Sequence, residues 1–448
     1  MVYIVIWEVD GMKRSSRRGL SVGTIFMLTL TSLVLIGFFA LLPTLTGTTN
    51  ISTNAIDLAV KLDQSFSQLI SQAGTKTPAP TGSSSLMPLT TPPPTTTPVP
   101  TAPPVKHFSL CAAGAIQLDS SALNSLTDKE TGYRFDFLFG SLGTAMQADL
   151  TIATLKNLVI PTDKLSSANM PVELLNGMKN AGIDAVCLGH PNALNEGISG
   201  LADTKNSITQ TGMMPYGLYT TPTEQANAAM GSANGVWVAL LSYQNELSSA
   251  GKKQTTDEER QYAYSPVEIE TIQQDIASMR QKGAEVVIVS LCWGKTSATS
   301  PTQQQREQAQ QIADAGADII LGTNPQAVFP VEILTAQRND GKYHPVLCAY
   351  SMGNLFTYDR ENRANLAGIL LHADIQYDPA TGTIAFDNLS YDPTYCWRGK
   401  INGATRTAVL SGHQENAPDF VEQNQLDVMG RCYKLITQVM QDSVLKER

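Results

Sequence analysis

The residues able to do chemistry are thinly spread along this chain. Its five histidines (His107, His190, His344, His372 and His413) stand at least 28 positions apart. No HxH, HxxxH or HExxH spacing occurs, so no short segment carries a zinc motif of its own. There is no GxSxG nucleophile turn and no phosphate-cradling glycine loop. Of the six cysteines none is in CxxC spacing, and Cys396 with Cys432 is the candidate disulfide pair. Glu173, Glu196 and Asp359 are available carboxylates, but no spacing pairs two of them for acid–base work. The stretch most like a site is ILGTNPQAVFP, residues 320–330, where the apolar run Asp318–Leu321 is broken by Gly322. Strand ends of this kind are where ligands collect in α/β proteins. Yet Thr323, Asn324 and Gln326, the side chains it offers, cannot ionise.

Residues so far apart meet only if a fold gathers their segments. From His107 onward, helical and strand-like segments alternate. Strands are expected over Phe108–Ile116, Asp149–Ala153, Asp184–Leu188, Val286–Leu291 and Asp318–Leu321. Helices are expected over Pro171–Ala181 and Gln303–Ala315, with another starting at Ser265-Pro266-Val267-Glu268, which reads as a capping box. The repeated helix–glycine–strand unit predicts an α/β fold. Later strands are expected over Val346–Ser351, Leu366–Ile375 and Thr383–Leu389, with a terminal helix at about 428–440.

Ahead of this domain the composition changes sharply. Residues 19–42 (GLSVGTIFMLTLTSLVLIGFFALL) carry no charge over 24 positions, roughly 36 Å as a helix, which suits an uncleaved membrane span. Lys13, Arg14, Arg17 and Arg18 precede it, so the positive-inside rule puts a cytoplasmic tail at 1–18 and everything after residue 42 outside. Met12 is a more natural start of translation than Met1. A stalk follows at 43–74, with helical spacing at Ala59, Leu62, Phe66, Leu69 and Ile70. The linker at 75–106 has ten prolines and nine threonines among residues 75–104 and would extend about 90 Å as polyproline II. The net charge of −9 excludes a general nucleic-acid binder.

The order of seven segments resembles the capsule-synthesis CapA family, poly-γ-glutamate capsule proteins whose fold is similar to calcineurin-like metallophosphoesterases. The segments are FSLCAAGAIQL (108–118), ADLTIATLKNLV (148–159), NAGIDAVCLGHPNALNEG (180–197), VIVSLCWG (287–294), ADAGADIILGTNPQAVFPVEI (313–333), YSMGNLF (350–356) and YDPTYCW (391–397). The resemblance implies a layered α/β/β/α sandwich over 107–448. It also implies metal ligands that this chain has replaced. Gly-Asp becomes Gly114-Ala115, Asn-Leu-Glu becomes Thr154-Leu155-Lys156, and Asn-Asn-His becomes His190-Pro191-Asn192. His-Trp-Gly becomes Cys292-Trp293-Gly294, and Gly-His-His-Pro-His becomes Gly322-Thr323-Asn324-Pro325-Gln326. Scaffold positions such as Trp293, Gly294, Gly322, Pro325, Gly353 and Asn354 remain.

A dinuclear site needs carboxylates and imidazoles to hold its cations, and alanine, lysine and neutral amides do not supply them. The leading expectation is a surface-tethered binding or assembly module with no metal and no cofactor. Its ligand-binding candidates are Lys156, His190, Asn192, Cys292, Trp293, Lys295, Asn324, Gln326 and Asn354. The partner is expected to be polyglutamate, another anionic envelope polymer, or a protein of the capsule machinery. Bland alternatives are an ion pair within the fold for Lys156 and a solvated loop position for Lys295. Two other readings stay open: a metal site rebuilt from His190, Cys292 and Cys187, and a metal-independent hydrolase or transferase.

Overall fold

A computed structural model describes residues 103–448, apart from 129, 131, 162–168, 297 and 339. The expected tail, anchor and stalk, and all but the last four residues of the expected linker, lie outside the described residues. Among the described residues no helix is long and apolar enough to cross a membrane.

The chain runs through β1 (Lys106–Gln117), β2 (Leu150–Leu155), α1 (Glu173–Asn180), β3 (Ala185–Cys187), α2 (Gly197–Gln210), β4 (Met214–Tyr216), β5 (Met230–Ala233) and β6 (Val236–Gln244). It continues through α3 (Ile269–Gln281), β7 (Val286–Cys292), α4 (Gln303–Asp314), β8 (Ile319–Thr323), β9 (Val331–Gln337), β10 (Tyr343–Ala349) and β11 (Asn354–Thr357). The last elements are β12 (Ala367–Asp378), β13 (Thr383–Ile401), β14 (Ala404–Ser411) and α5 (Gln423–Met440).

Two sheets result. The first has the order β14-β13-β12-β1-β2-β3-β4, with β11 parallel to the end of β1, and the second has the order β9-β10-β8-β7-β6-β5. Strands β1, β2, β3 and β4 are parallel, as are β6, β7, β8 and β10. Parallel strands are covered on both faces, which is why VVIVSLC in β7 is buried at every position. Its alternate side chains serve different layers. Val286 and Ile288 join the core shared with the first sheet, while Val287, Val289 and Leu291 pack with Ile272 and Ile276 of α3 and Ile312 of α4. On the far side of the first sheet, Leu174 and Met178 of α1 and Met429 and Ile436 of α5 close the same core. The layering is therefore helix, sheet, sheet, helix.

Between the sheets the packing turns polar toward the strand ends. The Tyr216 hydroxyl and Ser290 Oγ lie 2.8 Å apart, and the Cys187 thiol donates to Ser242 Oγ at 3.2 Å. Gly189 allows this approach, since a Cβ there would stand 2.1 Å from Ser242 Oγ.

Several expectations need correction. Ser265-Pro266 does not start a helix. The Ser265 carbonyl accepts from the Gln244 N–H and Pro266 bridges to Gln244, so this segment extends the edge of β6, and α3 begins at Ile269. Reciprocal capping boxes occur instead at Thr256/Glu259, Thr302/Gln305 and Glu422/Gln425. Strand β13 runs to Ile401 rather than Leu389, because β14 pairs with its second half. The terminal helix begins at Gln423, five residues before the expected start. Cys396 and Cys432 are both free, buried thiols directed at the carbonyls of Leu355 and Arg363.

Candidate functional site

Six strands deliver their carboxyl ends to one cavity of about 470 Å³. From the first sheet come Gln117 at the end of β1, Lys156 after β2, and His190, Pro191 and Asn192 after β3. From the second come Glu246 after β6, Gly294, Lys295 and Thr296 after β7, and Asn324 and Gln326 after β8. The volume falls in the usual range of a small-molecule site.

Lys156 and His190 form its buried part. The Lys156 N–H donates to the Ile116 carbonyl at 2.9 Å, which continues the β1–β2 register one residue past the strand. The residue is only 8% exposed, and its side chain has no hydrogen-bond or ion-pair partner among the described residues. Burial lowers the Lys156 pKa, partly offset by Cys292. His190 sits in a tight turn, its N–H donating to the Leu188 carbonyl. Its Nδ1 accepts the Asn192 N–H at 3.3 Å, so the ring proton of the neutral imidazole belongs on Nε2. That Nε2 is buried and unpartnered. Burial, reinforced by the Lys156 charge, pushes the His190 pKa down to about 3. The imidazole is thus a neutral donor across the physiological range.

The 320–330 loop forms another wall. Gly322 is required because a Cβ there would lie 2.0 Å from the Tyr350 carbonyl oxygen. Asn324 and Gln326 adopt φ of +97° and +57°, and Asn324 Nδ2 donates to the Gly294 carbonyl at 2.8 Å. Backbone of this kind in a non-glycine residue persists only where surroundings hold it, and such positions cluster at ligand sites.

Three of the nine candidate residues lie outside the lining. Trp293 is wholly buried, stacked on Tyr350 with Nε1 donating to the Tyr350 carbonyl at 3.0 Å, so it anchors the loop from behind. Asn354 stands opposite Ala115 in the strand register and donates to the Asn365 carbonyl at 2.9 Å. Cys292 lies buried at the end of β7, where burial raises its thiol to about 11. Among the described residues the ion pair considered for Lys156 is not made, and Lys295 is an exposed loop residue on the cavity wall.

Glu246 is the one acidic residue of the lining, and the sequence reading had not singled it out. It lies two residues beyond the apolar run VWVALLSYQ, which carries the strand signal that could have pointed to it. The carboxylates considered earlier play other parts: Asp359 accepts from Asn365, Glu173 opens α1, and Glu196 precedes α2.

The donor set does not fit a dinuclear metal site. Ala115 has no ligating atom, Lys156 brings a cation, and Asn324 and Gln326 are neutral amides. Among the described residues no group of three or more His, Cys, Asp or Glu is placed to hold a metal, and that includes His190, Cys187 and Cys292.

A layered α/β/β/α domain with a strand-end cavity rich in hydrogen-bond donors is the class of protein so defined. The chain belongs to the bacterial capsule synthesis protein family PGA_cap, which matches residues 109–359. It is similar to the PGA biosynthesis protein CapA of Bacillus subtilis (strain 168), 27% identical over 192 residues, which is 42% of this chain and 46% of that protein. The capsule biosynthesis protein CapA of Bacillus anthracis is 26% identical over 199 residues, 44% of this chain and 46% of that one. The chain thus matches about half the length of these curated relatives. Among solved structures it is similar to the calcineurin-like phosphoesterase YfkN of Bacillus subtilis, at 14% identity and a TM-score of 0.39, covering 75% of this chain and 99% of that one. A phosphatase of Mycoplasma pneumoniae gives 12% identity and a TM-score of 0.36, covering 68% and 94%.

Proposed function

We propose that this protein is a non-catalytic binding module of capsule or cell-wall polymer assembly, anchored in the cell membrane through residues 19–42 with its main domain outside. Its ligand would be an anionic envelope polymer of the polyglutamate type, held by free carboxylates in the strand-end cavity. The observation that carries this reading is that Lys156 and His190, two buried residues, line one cavity, with no acceptor for the Lys156 ammonium or for His190 Nε2 among the described residues. Buried donors without partners are costly, and an incoming carboxylate would satisfy both. Lys295 adds positive charge at the exposed wall. The donor set described above also argues against the hydrolytic chemistry of a two-metal centre, and family membership supports the capsule context.

The test is co-sedimentation of the full chain, in membranes, with poly-γ-glutamate. Lys156→Glu should abolish binding by setting like charge against the polymer, whereas unchanged binding would refute the reading.

A further inference from the structure

We infer that the cavity selects a ligand combining one ammonium group with two carboxylates, as in an acidic α-amino acid or the free amino end of a γ-linked glutamate chain. This deepens the anion-binding reading above and rests on it. The inference comes from three ionic side chains of the lining. Lys156, Lys295 and Glu246 border the same cavity, yet none forms an ion pair or a side-chain hydrogen bond among the described residues. A surface that only needed to attract a polyanion gains nothing from a carboxylate in its wall, because that charge repels the ligand. A carboxylate placed among lysines and left unpaired gives a complementary position for a cationic group.

The lining therefore carries two ammonium groups and one carboxylate, and the reciprocal ligand carries two carboxylates and one ammonium. Inside a γ-linked chain the nitrogens are neutral amides, so only an end, or a free amino acid, offers that ammonium. The neutral imidazole of His190 keeps an unused N–H on Nε2 and adds no third positive charge. One ligand carboxylate would meet Lys156 and His190 at the buried part, and the other would meet Lys295. Glu246, exposed at the opening, would take the ammonium.

Calorimetric titration of the full chain with four probes tests this: D,L-glutamate, glutarate, a short γ-glutamate oligomer with a free amino end, and the same oligomer N-acetylated. Glutamate is expected to bind about tenfold tighter than glutarate, or the free-amino oligomer about tenfold tighter than its acetylated form. The first contrast assigns a free amino acid and the second a polymer end. Glu246→Gln, an exposed change, should erase the preference. If amine-bearing and amine-free probes bind equally, the ammonium position is wrong while the anion cavity stands. Should no probe bind, both the inference and the reading beneath it fall.

Discussion

Lys156 and His190 stand at the ends of neighbouring parallel strands and border one cavity, with the Lys156 ammonium and His190 Nε2 both lacking a hydrogen-bond partner among the described residues. Burial lowers the proton affinity of both, and the Lys156 charge lowers that of His190 further. Such an arrangement costs stability in the free protein. It is expected where a ligand supplies the missing acceptor.

Lys156→Met is therefore expected to stabilise the free domain. It keeps the aliphatic stem and removes a buried charge that no hydrogen bond or ion pair among the described residues compensates. Urea denaturation at neutral pH should show a gain of about 1 kcal/mol or more. Polyglutamate binding should fall in the same variant. A loss of stability would mean that Lys156 serves the fold and not a ligand.

His190 gives the domain a specific acid sensitivity. Its folded pKa is about 3 against an ordinary 6.5. Between those values the unfolded imidazole binds a proton that the folded one does not, so stability rises with pH across the window. The contribution is complete above about pH 6.5 and is lost as pH falls toward 3, by roughly 5 kcal/mol in all. Replacing His190 by glutamine should flatten that part of the stability profile. Melting temperatures recorded across the window would expose an unchanged slope.

The sequence made the parallel strands legible because each is a short apolar run ended by glycine or a polar turn, as in Val286–Leu291 and Asp318–Leu321. It also made legible that ionisable groups were missing from 320–330. Local pattern could not tell that Trp293 faces the Tyr350 ring and not the cavity, since strand-end side chains take their direction from the partner sheet. The false helix start at Ser265 arose similarly. A local capping pattern lost to hydrogen bonding with the end of β6, a partner 21 residues earlier. Glu246 escaped because its strand was not recognised, although six further side chains of the same lining were read from the resemblance.

Gly322→Ala should be among the most damaging single changes in the loop. The added methyl would meet the Tyr350 carbonyl oxygen at 2.0 Å and the Trp293 indole nitrogen at 2.7 Å, both held by a buried hydrogen bond. Neither group is a flexible side-chain end, so the loop must move. A loss of about 3 kcal/mol or more is expected in denaturant unfolding, together with a blue or red shift of Trp293 fluorescence. An alanine variant of native stability would show that the loop is less tightly seated than this contact requires.

Ligand binding should depend on pH in a way that reports on Lys156. The lowered pKa of Lys156 means that its ammonium is lost sooner than that of an ordinary lysine as pH rises. A carboxylate placed beside it favours the charged form and raises the pKa again. Binding should accordingly take up protons near and above the free-state pKa, and affinity should fall as pH rises through it. At the acid end, affinity falls once the ligand carboxylates protonate, near pH 4 for a glutamate side chain. Calorimetry in buffers of different ionisation enthalpy measures the uptake directly. In Lys156→Met the uptake should vanish, and a proton count that persists in that variant would show that Lys156 is not its source.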